Sequence, residues 1–225
     1  MSKLAFTKLL NELAHIFKDP ESIEAIDYLL DKVGELPMES NPSERPSAKS
    51  KKKTISKNKK SFAIPKEILD MPLGFAIYSD GACRGNPGVG AWGVLAQNSA
   101  GQVLFESAGV KQLTTNNQME LEGAIQGLLA IQEHLTRGGE NNLFLFSDSK
   151  YVVDGIQNWV PGWKARDWKK ADKKAPENLS QWQRLDELVG QFKNLTFKWV
   201  KGHAGHAQNE RADELANRAL DAAGF

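Results

Sequence analysis

The chain has one cysteine and no long apolar run, and each shortage excludes a class of protein. Cys83 is the only cysteine among 225 residues, so neither an intramolecular disulfide nor a zinc site built from several cysteines can form. No stretch approaches the roughly 18 apolar residues of a membrane-spanning helix. The first residues carry Glu12 and Asp19 and lack the apolar core of a secretory signal. We therefore expect a cytoplasmic protein with no membrane partner.

Net charge is also nearly absent, but it is unevenly distributed. The 29 basic and 28 acidic residues leave a net charge of +1. Residues 1–34 and 63–225 each carry −2, whereas residues 35–62 carry +5. A protein that binds nucleic acid through bulk positive charge would not show this balance. Any such binding must depend on local basic patches.

The sequence divides into three parts. Apolar residues at helical spacing predict a small helical unit over residues 1–34, which we expect to bind an unknown protein or to self-associate. Residues 35–62 are rich in Lys, Ser and Pro, which predicts a disordered linker. Its lysine run, from Lys49 to Lys60, suits a soluble tether or a phosphate-binding arm, and the two roles are compatible. A folded domain over residues 72–225 follows.

The folded domain shows three strands and then alternating helices and strands. Short Gly-rich turns separate the predicted strands 75–80, 91–96 and 103–108, which favours an antiparallel meander. The remaining predicted elements are a helix 117–135, a strand 143–146, a helix from 149, a helix 179–191, a strand 195–200 and a helix 208–223. This pattern predicts a mixed α/β sheet covered by helices.

Four carboxylates are candidate functional residues because of their positions relative to the predicted strands and helices. Asp80 and Asp148 end predicted strands, and open α/β sheets bind ligands at that edge. Glu120 lies on a small apolar helix face, and Asp213 lies in the last helix. Each also has a simpler interpretation, namely a turn at Asp80, a capping box between Asn117 and Glu120, a helix cap at Asp148 and a solvated face at Asp213.

Taken together, the four acids predict a cation site. Converging carboxylates repel one another unless divalent cations neutralise them. Ligands that are all oxygen suit Mg²⁺, with Mn²⁺ as the alternative. Two such ions roughly 3.5–4 Å apart are a standard arrangement for phosphodiester hydrolysis. His203, in a Gly-rich loop before the last helix, suits proton transfer better than a zinc site.

Residues 159–174 form a second candidate functional segment, rich in tryptophan and basic residues. It holds three tryptophans, six basic residues and two acids, a net charge of +4. One interpretation is a helix with a buried tryptophan stripe and a solvated basic face. Aromatic rings interleaved with cations fit better a protrusion that lies along a sugar–phosphate backbone.

Five sequence blocks, in order, closely resemble type 1 ribonuclease H, and the bacterial ribonuclease HI form is the nearest. The blocks are Tyr78–Gly88, Thr114–Glu120, Phe146–Tyr151, Trp199–His206 and Asn209–Leu215. The resemblance covers about residues 75–219. Residues 1–62 do not resemble the N-terminal hybrid-binding domain of many eukaryotic relatives.

The resemblance implies a fold, a reaction and a set of residues. The fold would be a five-stranded mixed sheet with helices on both faces. The reaction would be endonucleolytic cleavage of the RNA strand of RNA–DNA hybrids, leaving 5′-phosphate and 3′-hydroxyl ends. Asp80, Glu120, Asp148 and Asp213 would bind two Mg²⁺ ions, and His203 would aid proton transfer or product release. The substrate-binding residues implied are Cys83, Asn86, Thr115, Asn116, Asn117, Gln118, Lys150, Trp159, Trp163, Lys164, Arg166, Trp168, Lys169 and Lys170.

One departure from the family pattern and two alternative functions accompany the resemblance. Lys150 stands where a neutral polar residue, often Gln, is familiar, so a phosphate contact is one alternative for it. The enzyme could be another nuclease of the same fold acting on DNA, or the chain could be a catalytically silent hybrid-binding module. We expect the catalytic domain to be monomeric.

Overall fold

The computed structural model describes residues 62–136, 138–202 and 204–225. The predicted helical unit over residues 1–34, the linker up to residue 61 and His203 lie outside the described residues. Within the described ranges, no helix combines the length and the hydropathy needed to cross a membrane.

A five-stranded mixed sheet forms the centre of the fold. Its strands are β1 (Gly74–Gly85), β2 (Gly88–Asn98), β3 (Val103–Thr114), β4 (Asn142–Ser147) and β5 (Asn194–Trp199). The spatial order is β3-β2-β1-β4-β5. The pairs β1–β2 and β2–β3 are antiparallel, whereas β4 runs parallel to both β1 and β5. The predicted meander and mixed sheet are confirmed.

Strand β1 is longer than its sequence predicts. Asp80 lies inside it, opposite Gly93, and pairing continues to Gly85 opposite Gly88. The chain turns only at the cis bond between Asn86 and Pro87. The interpretation of Asp80 as a turn residue is therefore wrong, because the glycines after it belong to a paired strand.

The helices begin close to their predicted positions. They are α1 (Asn116–Ile131), α2 (Lys150–Asp154), α3 (Val160–Lys164), α4 (Leu179–Val189) and α5 (Ala207–Ala222), with a 3₁₀ turn at Gln132–His134 and a π-helical turn at Gly155–Trp159. Thr115 caps α1, and its side-chain oxygen accepts a hydrogen bond from the Gln118 amide at 3.4 Å. The capping box at Asn117 is therefore wrong, which leaves the Glu120 side chain free for another task.

Alternation along β1 divides the core between two faces of the sheet. Phe75 and Ile77 pack on one face in a cluster that includes residues of α1, α2 and α4. Ala76 and Tyr78 face the other side, where Ala212 of α5 joins the cluster. Helices therefore cover both faces, as the sequence predicts.

Residues 62–71 complete the cover of the second face. Ile68 is fully buried there and shares a cluster with Tyr78 and Phe146. The Gln208 side-chain amide of α5 donates a hydrogen bond to the Ala63 carbonyl at 2.6 Å. This segment, which lies before the predicted domain start, packs as part of the sheet structure.

Candidate active site

Three carboxylates meet where β1 and β4 point toward the start of α1. The two strands run parallel with Tyr78 opposite Phe146, so Asp80 and Asp148 each come two residues later. Glu120, on the first turns of α1, completes the group. One carboxylate oxygen of each acid lies within 4.8 Å of the others. The topology thus brings together residues from three separate sequence blocks.

Two glycines allow the elements around these acids to approach so closely. A Cβ atom on Gly81 would lie 2.5 Å from the backbone nitrogen of Glu120, so a side chain there would push α1 away from β1. A Cβ atom on Gly202 would lie 2.3 Å from Oδ2 of Asp148. The loop after β5 therefore lies directly against the Asp148 carboxylate.

Burial and mutual repulsion make two of the acids hard to ionise. Asp80 and Glu120 are only 7% and 6% exposed. Burial, followed by the charges of Asp148 and Asp213, raises the pKa of Asp80 to about 8, against a small opposing effect of the Gly81 amide, which donates to Oδ1 at 2.7 Å. Burial, then the charges of Asp80 and Asp148, raise the pKa of Glu120 well above its usual range.

The residues present fit a divalent cation. Asn116 donates to Oε1 of Glu120 at 3.3 Å, whereas the buried Oε2 has no hydrogen-bond partner among the described residues. A buried carboxylate oxygen without a donor is costly, and a second and third acid beside it add repulsion. A hard cation would relieve both costs, and an all-oxygen ligand set suits Mg²⁺ or Mn²⁺.

Asp213 stands beside this cluster. It lies on α5, is partly buried, and accepts a hydrogen bond from the Asn217 side chain at 2.7 Å. It is not one of the three acids whose oxygens lie within 4.8 Å, but its charge reaches Asp80 and raises the pKa of that group. His203 lies outside the described residues.

The predicted substrate-binding polar residues gather at the start of α1. Asn86, at the tip of the β1–β2 hairpin, accepts a hydrogen bond from the Asn116 amide at 3.3 Å. Asn117 is exposed, and the Cys83 thiol donates to the Gly85 carbonyl at 2.7 Å. The hairpin tip and the helix start therefore form one polar surface that adjoins Glu120.

Gln118 extends this surface toward α4. Its Oε1 accepts from the Thr114 hydroxyl at 2.8 Å, and its side-chain nitrogen donates to Asn178 at 3.1 Å. Asn178 has a left-handed φ of 57° directly before α4. Asn178 is not among the predicted site residues, because no local sequence pattern signals a contact with a residue 60 positions away.

The three tryptophans of residues 159–174 serve two purposes. Trp163 is partly buried and lies 5.7 Å from the fully buried Trp182, measured between ring centroids. Trp168 also packs against the core, whereas Trp159 remains 39% exposed although one side of its ring contacts Trp163 and Trp182. Both interpretations of this segment therefore hold in part. Trp163 and Trp168 pack as a buried tryptophan stripe would, whereas Trp159 stays partly exposed at the surface.

The cations of the same segment lie at the surface in weak ion pairs. The pairs are Lys164 with Asp186 at 2.9 Å, Lys169 with Asp167 at 3.2 Å, and Lys170 with Glu177 at 3.0 Å. Arg166 is exposed and donates to the Lys169 carbonyl at 3.2 Å. Ion pairs at the surface contribute little to stability.

Comparison with known proteins yields a family and several close relatives. The RNase H family profile matches residues 74–221. A ribonuclease H of Neisseria gonorrhoeae is 48% identical over 151 residues, covering 67% of this chain and 96% of that protein. A ribonuclease H of Pseudomonas putida is 50% identical over 145 residues, covering 64% and 92%.

Solved structures give the same result. RNase H1 from the halophilic archaeon Halobacterium salinarum has a TM-score of 0.52 and 31% identity, covering 66% of this chain and 98% of that one. LC11-RNase H1, solved in complex with an RNA/DNA hybrid, has a TM-score of 0.55 and 28% identity, covering 67% and 99%.

Proposed function

Because this chain belongs to the ribonuclease H family, we propose that it hydrolyses the RNA strand of RNA–DNA hybrids endonucleolytically, leaving 5′-phosphate and 3′-hydroxyl ends. The observation that carries the proposal is the group of three carboxylates within 4.8 Å, two of them buried. A module that only binds hybrids has no reason to place such repelling charges beside phosphates.

The acids are proposed to act as ligands of two Mg²⁺ ions. Asp80, Glu120 and Asp148 supply oxygens that face one another, and Asp213 contributes charge from α5. Two ions bound there would supply an activated water and stabilise the leaving oxygen, the usual contribution of such a pair. Asn116 orients Glu120 through its hydrogen bond to Oε1.

His203 is proposed to move a proton during turnover. An imidazole changes charge near neutral pH, which suits a group that takes up and releases a proton during turnover. Its sequence neighbour Gly202 lies against the Asp148 carboxylate, which supports a role for His203 at this site. His203→Ala should slow turnover and leave measurable activity.

The polar surface at the start of α1 is proposed to recognise the hybrid. The minor groove of RNA-containing helices is wide and displays the RNA 2′-hydroxyls. Side chains that contact this groove can therefore distinguish RNA from DNA. Asn116, Asn117 and Gln118 offer donors and acceptors within about one helical turn of Glu120. Cys83 on β1 and Asn86 in the following turn lie on the adjoining hairpin, and Asn86 is hydrogen-bonded to Asn116. Thr115 is proposed to help hold a phosphate of the DNA strand.

Residues 159–174 are proposed to grip the DNA strand. Their surface cations would exchange carboxylate partners for phosphates, and the exposed part of Trp159 would offer a stacking surface. We place the activity in the cytoplasm, which the single cysteine supports.

A cleavage assay in Mg²⁺ tests the proposal. One labelled RNA is offered as single strand, as RNA duplex and as RNA–DNA hybrid, alongside duplex DNA. Asp148→Asn removes a ligand charge at constant volume and should abolish cleavage while hybrid binding persists. Asp70→Asn, an exposed acid with a left-handed φ of 59° that Asn tolerates, is the matched control and should cleave normally.

Each alternative has its own outcome in the same assay. Cleavage of duplex DNA would favour a different nuclease of this fold. Binding of the hybrid without cleavage in Mg²⁺ or Mn²⁺ would identify a silent binding module. Near-normal rates for Asp148→Asn would show that the assignment of the cation ligands is wrong.

A further inference from the structure

Trp199 contacts the candidate active site and has no place in the core. It is the last residue of β5, directly opposite Ser147 of β4. Its side chain is 46% exposed, and it belongs to none of the hydrophobic clusters of the described residues. A large ring left this open gains little from burial, so its position calls for another explanation.

The indole of Trp199 is bonded to the acid that ends β4. Its Nε1–H donates to the backbone carbonyl of Asp148 at 3.0 Å. The amide of Val200 donates to the Ser147 carbonyl at 3.0 Å. The backbone carbonyls of Ser147 and Asp148 are therefore held by the last residue of β5 and the residue that follows it.

The same ring carries a cation. Nζ of Lys150 lies 5.1 Å from the centre of the Trp199 ring, within the range of a cation–π contact. Lys150 is exposed and begins α2, two residues after Asp148. One side of the indole thus supports the Lys150 ammonium while its N–H fixes the Asp148 backbone.

Resting on the proposed function, we propose that Trp199 is a positioning residue: its N–H sets Asp148 for cation binding, and its ring presents Lys150 to a phosphate of the hybrid. Lys150 supplies a positive charge at the rim of an acidic site, where phosphate is otherwise repelled. Residues that orient metal ligands typically change metal affinity or activity by 10-fold or more when lost.

Two variants separate the two roles. Trp199→Phe removes the N–H and keeps a ring for Lys150, so calorimetric titration of the full chain with Mg²⁺ should show about tenfold weaker binding. Its affinity for hybrid in EDTA should be unchanged. Lys150→Gln should leave Mg²⁺ binding intact, raise KM with kcat unchanged, and reduce the salt dependence of hybrid binding in EDTA by about one phosphate contact.

A third variant and two controls complete the test. Trp199→Leu should show both defects, and adding Lys150→Gln to it should weaken hybrid binding no further. Trp92→Phe, a partly buried tryptophan of β2 packed over Gly109, and Lys198→Gln, an exposed lysine of β5, should match the unchanged chain in both titrations.

The outcomes distinguish this inference from the proposed function. A lower melting temperature with unchanged Mg²⁺ and hybrid affinity would make Trp199 merely structural and overturn the proposal. If the salt dependence of hybrid binding is the same for Lys150→Gln as for the unchanged chain, Lys150 does not contact a phosphate. If the unchanged chain cuts no hybrid, the proposed function fails, whereas the Mg²⁺ titration still decides the role of the Trp199 N–H.

Discussion

Replacing Asp80 by Asn should stabilise the metal-free protein while abolishing cleavage. The folded state raises the pKa of this carboxyl from 3.8 to about 8, because the group is buried beside Asp148 and Asp213. Each pKa unit corresponds to about 1.4 kcal/mol. At pH 7, keeping Asp80 therefore costs the folded state up to about 4 kcal/mol.

The expected gain is smaller than this limit. Asn keeps an oxygen to accept the Gly81 amide, but its own NH₂ group is buried in place of the charge. We expect a net stabilisation of about 2 kcal/mol, which corresponds to a melting temperature about 4–8 °C higher for a domain of this size.

The pH dependence identifies the cause. A group whose pKa is raised by folding loses its stabilising contribution as pH increases from the unfolded value toward the folded one. The advantage of Asp80→Asn over the unchanged chain should therefore be small near pH 4 and largest at and above pH 8. Mg²⁺ should reduce or reverse it, because the cation stabilises only the chain that binds it.

The assay is thermal unfolding of the full chain in EDTA from pH 4 to 9, repeated with Mg²⁺. Asp70→Asn, an exposed acid, is the control and should follow the unchanged chain throughout. An Asp80→Asn melting temperature equal to or below that of the unchanged chain at pH 8, or a gain that does not vary with pH, would refute the reasoning.

Two further outcomes test the geometry. Gly202→Ala places a methyl group 2.3 Å from Oδ2 of Asp148 and should reduce kcat at least tenfold, whereas Gly190→Ala, with its nearest neighbour at 3.4 Å, should retain normal rates in the same assay. Glu177→Gln releases Lys170 from its 3.0 Å ion pair and should tighten hybrid binding and steepen its salt dependence; weaker or unchanged binding, measured by fluorescence anisotropy, would exclude that lysine as a phosphate contact.

The sequence predicts the sheet and its acids because the patterns there are local. Short apolar runs, Phe75–Tyr78 and Leu143–Phe146, define β1 and β4, so the sequence places Asp148 at a strand end. The position of Asp80 inside a strand is harder to predict from sequence. The glycines that follow it indicate a turn as long as their pairing partners are unknown. Residue-by-residue pairing of 81–85 with 88–92 is a property of the hairpin as a whole.

Contacts between distant segments could not be predicted in this way. The choice of Thr115 over Asn117 as the helix cap depends on where β3 ends and α1 begins, and both residue types are good caps. The placement of Trp199 against Asp148 depends on the pairing of β4 with β5, and no local pattern encodes that pair.

Residues 62–71 cover the second face of the sheet, and this cover determines which fragments of the protein remain in solution. A fragment that begins at Gly74, where the family match begins, would expose the aromatic pair formed by Tyr78 and Phe146, whose ring centroids are 4.7 Å apart. Contiguous apolar surface of that kind promotes self-association. Fragments that begin at Phe62 should stay dispersed at concentrations where those that begin at Gly74 precipitate.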